Sequence, residues 1–325
     1  MSDETRPLIV VPGDDPPQIA GSAHLDRLHE HGDVVLYGSL PADDDELLKR
    51  AKDAVVIVNS RGTVNWRKNV LEQLPKLKMI ATCSIGVDCI DLDAAREQGI
   101  VVSNIPGRTA PVVAEHALAL LLATARRLAF RTSELKAGRW VQKFDTTLYG
   151  KTLGVIGTGN IGSAMIRLAK GIGMDVIAWS YHPNEEKAEQ LGFRYVDRDE
   201  LLKTSDAISL HVKLTDDSRG LIGSRELSLI KPGCLLVNTA RGAIVETDAL
   251  VEALQSGHLG GAGLDVFDIE PLPADHPILD CEQVVLTPHS ADQTPEGVDL
   301  LNGGAVDNAI AFLKGQPQND VTGAS

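Results

Sequence analysis

The chain has 325 residues, with 45 acidic and 31 basic side chains and a net charge of −14. The charge is spread along the sequence, and without clustered Lys and Arg the chain is not expected to bind nucleic-acid backbone. A hydrophobic share of 43% with 23% charged residues suits a globular protein and not a disordered one, and at ~150 residues per domain the length suggests two domains. The start, Met1-Ser2-Asp3-Glu4-Thr5-Arg6, is polar and lacks signal-peptide character. The most apolar run, Ala117 to Ala125, is too short to span a bilayer. No membrane partner is expected, and the chain reads as cytoplasmic. Cys83, Cys89, Cys234 and Cys281 lack the close spacing of a disulfide framework or zinc site, and they read as reduced thiols.

The first hundred residues alternate short apolar runs with helical patterns. Leu8–Val11, Asp33–Tyr37, Ala54–Val58, Lys78–Thr82 and Ile100–Val102 read as strands buried on both faces. Pro16–His31, Asp43–Lys52, Trp66–Leu74 and Asp91–Gln98 read as the helices between them. A long helix follows, with Thr109 as its cap, Pro111 in its first turn and Val112 to Leu128 apolar on more than one face. Such a helix must be covered on several sides, at a domain or subunit boundary or within one chain.

A second series begins at Lys151. Its strands are Leu153–Ile156, Asp175–Trp179, Arg194–Val196, Ala207–Val212, Cys234–Thr239, Ala262–Phe267 and Val284–Thr287. Asn160–Lys170, Arg198–Lys203 and Thr247–Ser256 are helices among them. Gly297–Phe312 closes the chain as a helix before a Gly/Pro/Asn tail. Strands alternating with helices imply a parallel sheet with helices on both faces, here twice: two α/β domains.

Gly157-Thr158-Gly159-Asn160-Ile161-Gly162 matches G-x-G-x-x-G between a strand and a helix, the context in which that pattern binds a dinucleotide. Gly157 permits the tight turn, and Gly159 lets backbone approach a pyrophosphate. Gly162 lets the helix pack closely, and the helix start offers free N–H groups. About 20 residues on, an acid is expected to hold the adenosine ribose, but the strand ends in Ser180. A carboxylate there would repel the extra phosphate of NADP, so Ser180 leaves NADP(H) possible. An arginine to attract that phosphate is also missing, since Tyr181 and His182 follow and Lys187 is further along. The balance falls narrowly toward NAD(H).

Three segments carry acid/base and anion-binding side chains just beyond strands: Arg241 in Asn238-Thr239-Ala240-Arg241-Gly242, Glu270 in Asp265-Val266-Phe267-Asp268-Ile269-Glu270-Pro271, and His289 in Thr287-Pro288-His289. Ligands of open α/β sheets bind at the carboxyl ends of strands. Arg241 offers a planar fork for a carboxylate, and His289 can exchange a proton near neutrality. Glu270 within reach of His289 would fix its tautomer and raise its pKa. His116 and His211 read as packing groups or supports, and His24, His29, His31, His182, His258 and His276 as exposed. No His/Asp/Glu spacing suggests a metal site.

From about Asn59 to Phe312 the chain resembles the D-isomer-specific 2-hydroxyacid dehydrogenases, which include glyoxylate/hydroxypyruvate reductases, D-lactate dehydrogenases and phosphoglycerate dehydrogenases. The resemblance rests on Gly86-Val87-Asp88-Cys89-Ile90-Asp91, Asn104-Ile105-Pro106-Gly107, Val113-Ala114-Glu115-His116, the glycine turn and the three segments above. It implies two Rossmann-like/flavodoxin-like doubly wound parallel-sheet domains with a cleft between them. Residues 1–104, completed by 291–325, would hold substrate, and 105–290 would bind the dinucleotide. It implies Arg241 as the clamp for the substrate carboxylate, His289 as acid/base and Glu270 as its partner, with backbone amides near Ile85 and Gly86 also on the carboxylate. Asn160, Ile161, Thr239, Ala240 and Asp265 would contact the dinucleotide beside the glycines and Ser180, with Arg241 and His289 bordering it. The substrate would be a small 2-keto or 2-hydroxy acid, and the assembly a homodimer joined through the cofactor domain. Many relatives carry Asn where Cys89 stands and Pro where Lys213 stands. A formate dehydrogenase of this fold would place Gln at Glu270, and a dinucleotide-sensing corepressor could keep the same residues without turnover.

Overall fold

The computed structural model describes residues 6–324, which form two compact units, residues 6–109 with 293–324 and residues 110–292. In chain order the first series runs β1 (Leu8–Val11), α1 (Ala23–Leu28), β2 (Asp33–Leu36), α2 (Asp44–Ala51), β3 (Val56–Asn59), α3 (Lys68–Leu71), β4 (Met79–Thr82), α4 (Leu92–Glu97) and β5 (Val101–Ser103). Two helices follow, α5 (Ala110–Ala125) and α6 (Leu128–Lys136). The second series is β6 (Thr152–Ile156), α7 (Asn160–Gly171), β7 (Asp175–Trp179), α8 (Glu185–Leu191), β8 (Arg194–Tyr195), α9 (Arg198–Thr204), β9 (Ala207–Leu210), α10 (Ser224–Leu229), β10 (Leu235–Asn238), α11 (Thr247–Gln255), β11 (Gly261–Leu264) and β12 (Val284–Leu286). The last helix is α12 (Pro295–Leu313).

In the first unit a five-stranded parallel sheet has the order β2-β1-β3-β4-β5. The inner strands are β-branched and buried on both faces, as parallel strands under helices must be. Acids start two of its helices, α2 and α4: Asp43 Oδ1 accepts from Glu46 N at 2.8 Å and Asp91 Oδ1 from Ala94 N at 2.9 Å. Two expected helices are shorter than their patterns. Only Ala23–Leu28 of Pro16–His31 is helical, because Asp14 draws the amides of Gln18, Ile19 and Ala20 onto its carboxylate. Only Lys68–Leu71 of Trp66–Leu74 is helical, because fully buried Trp66 pairs its backbone with Cys89 and Asp91.

In the second unit seven parallel strands are ordered β12-β11-β10-β9-β6-β7-β8. The order reverses beside β6, so the β6 and β9 exits face a topological switch point, where open α/β sheets form a crevice. Apolar clusters fill both faces of this sheet. The expected helix Val112–Leu128 divides in two, because Arg127 takes a left-handed conformation (φ 49°) and α6 restarts beyond it. Thr109 is not the cap: its hydroxyl is buried with no hydrogen-bond partner, away from the first-turn amides. α5 packs on β10, β11 and α7 of its own unit. Gly263 makes the close approach to β11 possible, since a Cβ there would stand 2.9 Å from Leu120 Cβ. Among the described residues no disulfide joins the cysteines, and burial pushes the Cys83 and Cys234 thiols up to about 12. Among the described residues no helix is long and apolar enough to cross a membrane, and no His/Cys/Asp/Glu cluster could hold a metal ion.

Candidate active site

The glycine turn leaves β6 at Ile156 and enters α7 at Asn160. Gly157 sits at φ +98°, and a Cβ there would lie 2.7 Å from the His211 carbonyl oxygen. A Cβ on Gly162 would lie 1.9 Å from the Gly157 carbonyl oxygen, so neither position accepts a side chain. At Gly159 a Cβ would meet no atom within 4 Å, and as the N-cap of α7 it supplies no side chain to the first-turn amides. The amides of Asn160 and Ile161 therefore start a twelve-residue helix facing open space, the arrangement that receives an anion. Across the switch point, Thr239 is buried with its hydroxyl unpartnered, an orphan a ligand hydroxyl could satisfy. This cradle fits a dinucleotide.

The Gly157 amide donates to the Trp179 carbonyl at 2.8 Å, holding the β6 and β7 exits together. Ser180 comes next, its hydroxyl making only long contacts with His182 N (3.3 Å) and His182 O (3.4 Å). Lys187 is not remote from this turn, as its sequence distance implied. Helix α8 folds back, and the Lys187 ammonium donates to the Thr158 carbonyl at 3.1 Å.

The exits of β10, β11 and β12 bring the charged groups together. Asn238, the last residue of β10, accepts from Ala240 N at 3.0 Å and donates to the Arg241 carbonyl at 2.9 Å, fixing the turn. Arg241 donates to the Ala240 carbonyl at 2.7 Å, and its guanidinium charge acts on both Glu270 and His289. A Cβ on Gly242 would sit 1.9 Å from the Phe267 carbonyl carbon, so the β10 and β11 exits touch backbone to backbone. Beyond β11 the Glu270 carboxylate lies 2.7 Å from His289 Nδ1 through Oε2, and its Oε1 accepts from Phe267 N at 2.9 Å. His289 has a left-handed backbone (φ 50°), pinned by its amide on the Asp265 carbonyl at 2.8 Å.

The electrostatics follow the geometry. The hydrogen bond that His289 donates to Glu270, with the Glu270 charge, holds the His289 pKa above the ordinary imidazole value, against desolvation and the Arg241 charge. Burial works to raise Glu270, but the bonds from His289 and Phe267 N, with the charges of His289 and Arg241, bring it below the usual carboxylate value. Their side chains are 48% and 36% exposed, so solvent reaches both. Asp265 differs, being 1% exposed. Its carboxylate accepts from Thr287 Oγ1 (2.6 Å), Ser290 N (2.9 Å) and Ala291 N (3.0 Å). Burial alone would raise its pKa, yet the bonds from His116, Thr287 and those amides carry it down. His116 Nε2 stands 2.9 Å from Thr287 Oγ1 and 3.4 Å from Asp265 Oδ1, so this helix histidine braces the loop that carries His289. Sequence reasoning passed over Thr287 and Asn238 as site residues, since each acts by holding a neighbour in place.

Beside the pair, Leu272, Leu279 and Leu286 line a cavity of about 610 Å³ that also touches Phe267, Glu270 and His289. In the first unit, Ile85 and Gly86 follow β4. Ser84 Oγ donates to the Gly86 carbonyl at 2.6 Å and Asn104 Nδ2 to the Ile85 carbonyl at 2.7 Å, which fixes the loop backbone. Of the exposed histidines expected from sequence, His24, His31, His258 and His276 are half-buried. His24 is paired with Asp299, and His276 caps a short 3-10 turn.

A family model described as D-isomer specific 2-hydroxyacid dehydrogenase, NAD binding domain, matches residues 118–291. A glyoxylate reductase of Korarchaeum cryptofilum is 38% identical over 299 residues, covering 90% of each chain. Among solved structures, a D-lactate dehydrogenase from Aquifex aeolicus complexed with NAD and lactic acid superposes with TM-score 0.85 at 32% identity, covering 98% of this chain and 100% of that one. An acyclic imino acid reductase in complex with NADPH and D-Arg gives TM-score 0.88 at 28% identity, covering 97% and 99%.

Proposed function

The chain belongs to the D-isomer-specific 2-hydroxyacid dehydrogenase family, and from that premise we propose that it reduces a small 2-keto acid to its D-2-hydroxy acid, and the reverse, with NAD(H) or NADP(H). The observation that carries this reading is the 2.7 Å contact of Glu270 with His289 on the exits of neighbouring strands, within the field of Arg241. Glyoxylate and hydroxypyruvate are the first candidates, after the relatives named glyoxylate reductase and hydroxypyruvate reductase.

Residues 110–292 bind the dinucleotide in this reading. Gly157, Gly159, Asn160, Ile161 and Gly162 receive its pyrophosphate, Ser180 its adenosine end, and Thr239, Ala240 and Asp265 its other half. When bound, the dinucleotide supplies or accepts the hydride at the substrate C2. Arg241 grips the substrate carboxylate with its planar fork, an orientation that an ammonium could not impose. Glu270 occupies Nδ1 of His289, which leaves Nε2 as the nitrogen that exchanges a proton with the carbonyl oxygen. Raising the His289 pKa keeps the imidazolium populated, the form that donates during reduction. Asp265, through the His289 and Ser290 amides, sets where that nitrogen points.

The second unit is also the assembly face in this reading. Leu128, Leu135, Trp140 and Phe144 are exposed along α6 and the loop beyond it, and a second copy is their proposed cover. A dimer by analytical ultracentrifugation, lost on Trp140→Asp, is the expected result.

The decisive experiment follows nicotinamide absorbance with NADH and NADPH against glyoxylate, hydroxypyruvate, pyruvate, 2-ketobutyrate and phenylpyruvate. Turnover that collapses in Arg241→Ala supports the reading. Dinucleotide binding with no turnover across the panel would favour a sensor of the same fold.

A further inference from the structure

Lys187 is a half-buried cation whose charge nothing in the fold has neutralised. Among the described residues it pairs with no carboxylate, and its ammonium rests on the Thr158 carbonyl. It is held there, because the Asn184 side chain accepts the Lys187 amide at 2.8 Å and so fixes the start of its helix. The Gly157–Trp179 hydrogen bond joins the β6 and β7 exits. Thr158 directly follows Gly157, and Ser180 directly follows Trp179. The ammonium therefore rests on the residue after one end of that bond and the Ser180 hydroxyl belongs to the residue after the other, next to Gly159, where a Cβ would meet no atom within 4 Å. The other nearby cation is committed elsewhere: Arg198 lies over the Trp179 ring at 5.8 Å and pairs with Glu226 at 3.4 Å.

The end of the strand after the glycine turn is where an acid would receive a ribose hydroxyl and reject a phosphate. Here the acid is replaced by a hydroxyl with only long internal contacts, and a cation stands alongside. A phosphate on that ribose would gain a charge-assisted bond from Lys187 and an O–H donor from Ser180. Glu185 and Glu186, exposed neighbours of Lys187 on α8, oppose this and limit its size. We propose that Lys187, with Ser180, seats the 2′-phosphate of NADP(H), so that this chain prefers NADP(H) to NAD(H) and Lys187 is the residue that discriminates. The inference rests on the reading that the glycine turn binds a dinucleotide.

Calorimetric titration with NADP⁺ and with NAD⁺, no keto acid present, tests it. The native chain is expected to bind NADP⁺ about tenfold more tightly, the scale of one charge-assisted bond. Lys187→Ala should bring the two affinities together by weakening NADP⁺ alone, and Lys187→Arg should retain the preference. Ser180→Asp should reverse it. Unchanged NAD⁺ affinity in Lys187→Ala also shows that the turn is still folded. Equal affinities in the native chain, or a preference that survives Lys187→Ala, would overturn the inference while leaving the dinucleotide reading intact. Failure of both nucleotides to bind would overturn both.

Discussion

Two carboxylates stand beyond strand exits in the two parallel sheets and have opposite surroundings. Asp14, beyond β1 in the first unit, is 1% exposed. Its oxygens accept from Gln18 N, Ile19 N, Ala20 N and the Ser60 hydroxyl, at 2.7–3.2 Å. Every one of those donors is neutral and fixed. Glu270, beyond β11 in the second unit, is 36% exposed on its side chain, and it shares its oxygens between one amide and one imidazole. The first acid holds backbone in place. The second has a partner that titrates, and a cavity opens beside it. The difference is that only the second acid has a neighbour whose protonation can change and a surface that solvent reaches.

The largest expected effect is at Arg241. Arg241→Ala should lower kcat/KM for the keto acid by about 10²–10³, the scale of losing a fixed donor to a developing charge, while circular dichroism stays native. A loss of fold instead would place Arg241 with the structural groups.

Glu270→Gln removes the hydrogen bond and charge that do most to raise His289, leaving the Asp265 charge alone to raise it against desolvation and the Arg241 charge. Reduction needs imidazolium, so in the native chain the rate falls as pH rises through the raised His289 pKa. In the variant that fall should move to lower pH, with about a tenfold rate loss on the alkaline side for each unit of lost shift. A pH–rate profile in each direction checks it, oxidation gaining where reduction loses.

Stability carries the same signs. The His289 contribution is present below its unfolded pKa and lost as pH rises through the raised folded value. The Glu270 contribution is present above its unfolded pKa and lost as pH falls through the depressed folded value. Melting curves against pH should be flatter at both ends in the variant.

Asp14→Ala should cost about 1–3 kcal/mol in urea denaturation, because it orphans several buried donors. It should leave the pH dependence of reduction unmoved, and a shifted profile would erase the distinction between the two acids. The smallest effect is expected for Thr239→Val. It removes a buried hydroxyl that has no partner, so stability should hold or rise slightly. Dinucleotide affinity should weaken by roughly 2–10-fold, one neutral hydrogen bond, in the same calorimetric titration.

The strands were legible in the sequence because parallel strands buried on both faces leave short continuous apolar runs, as at Val56–Asn59 and Leu235–Asn238. The glycine turn was legible because backbone contact at Gly157 and Gly162 leaves only one residue type. What escaped depended on direction and not on composition. Apolar periodicity carried the long helix through Arg127, because nothing in an arginine announces a left-handed backbone. Thr109 has the right type for a cap but turns its hydroxyl into the interior. His116 read as a packing or supporting residue, and only the three-dimensional arrangement shows which groups it supports. Lys187 read as distant because six residues of sequence separate it from Ser180. A tight turn and one helix start return it to the glycine loop.

The backbone contact between Gly242 and Phe267 divides this site into parts that can drift and parts that cannot. Any side chain at position 242 would wedge apart the two exits and separate Arg241 from Glu270, so that position is closed to substitution. Leu272 and Leu279 stand beside the same cavity without touching that junction. In the proposed reaction, those two positions are where the cavity can be reshaped, by mutation or by design, while the Glu270–His289 contact stays where it was.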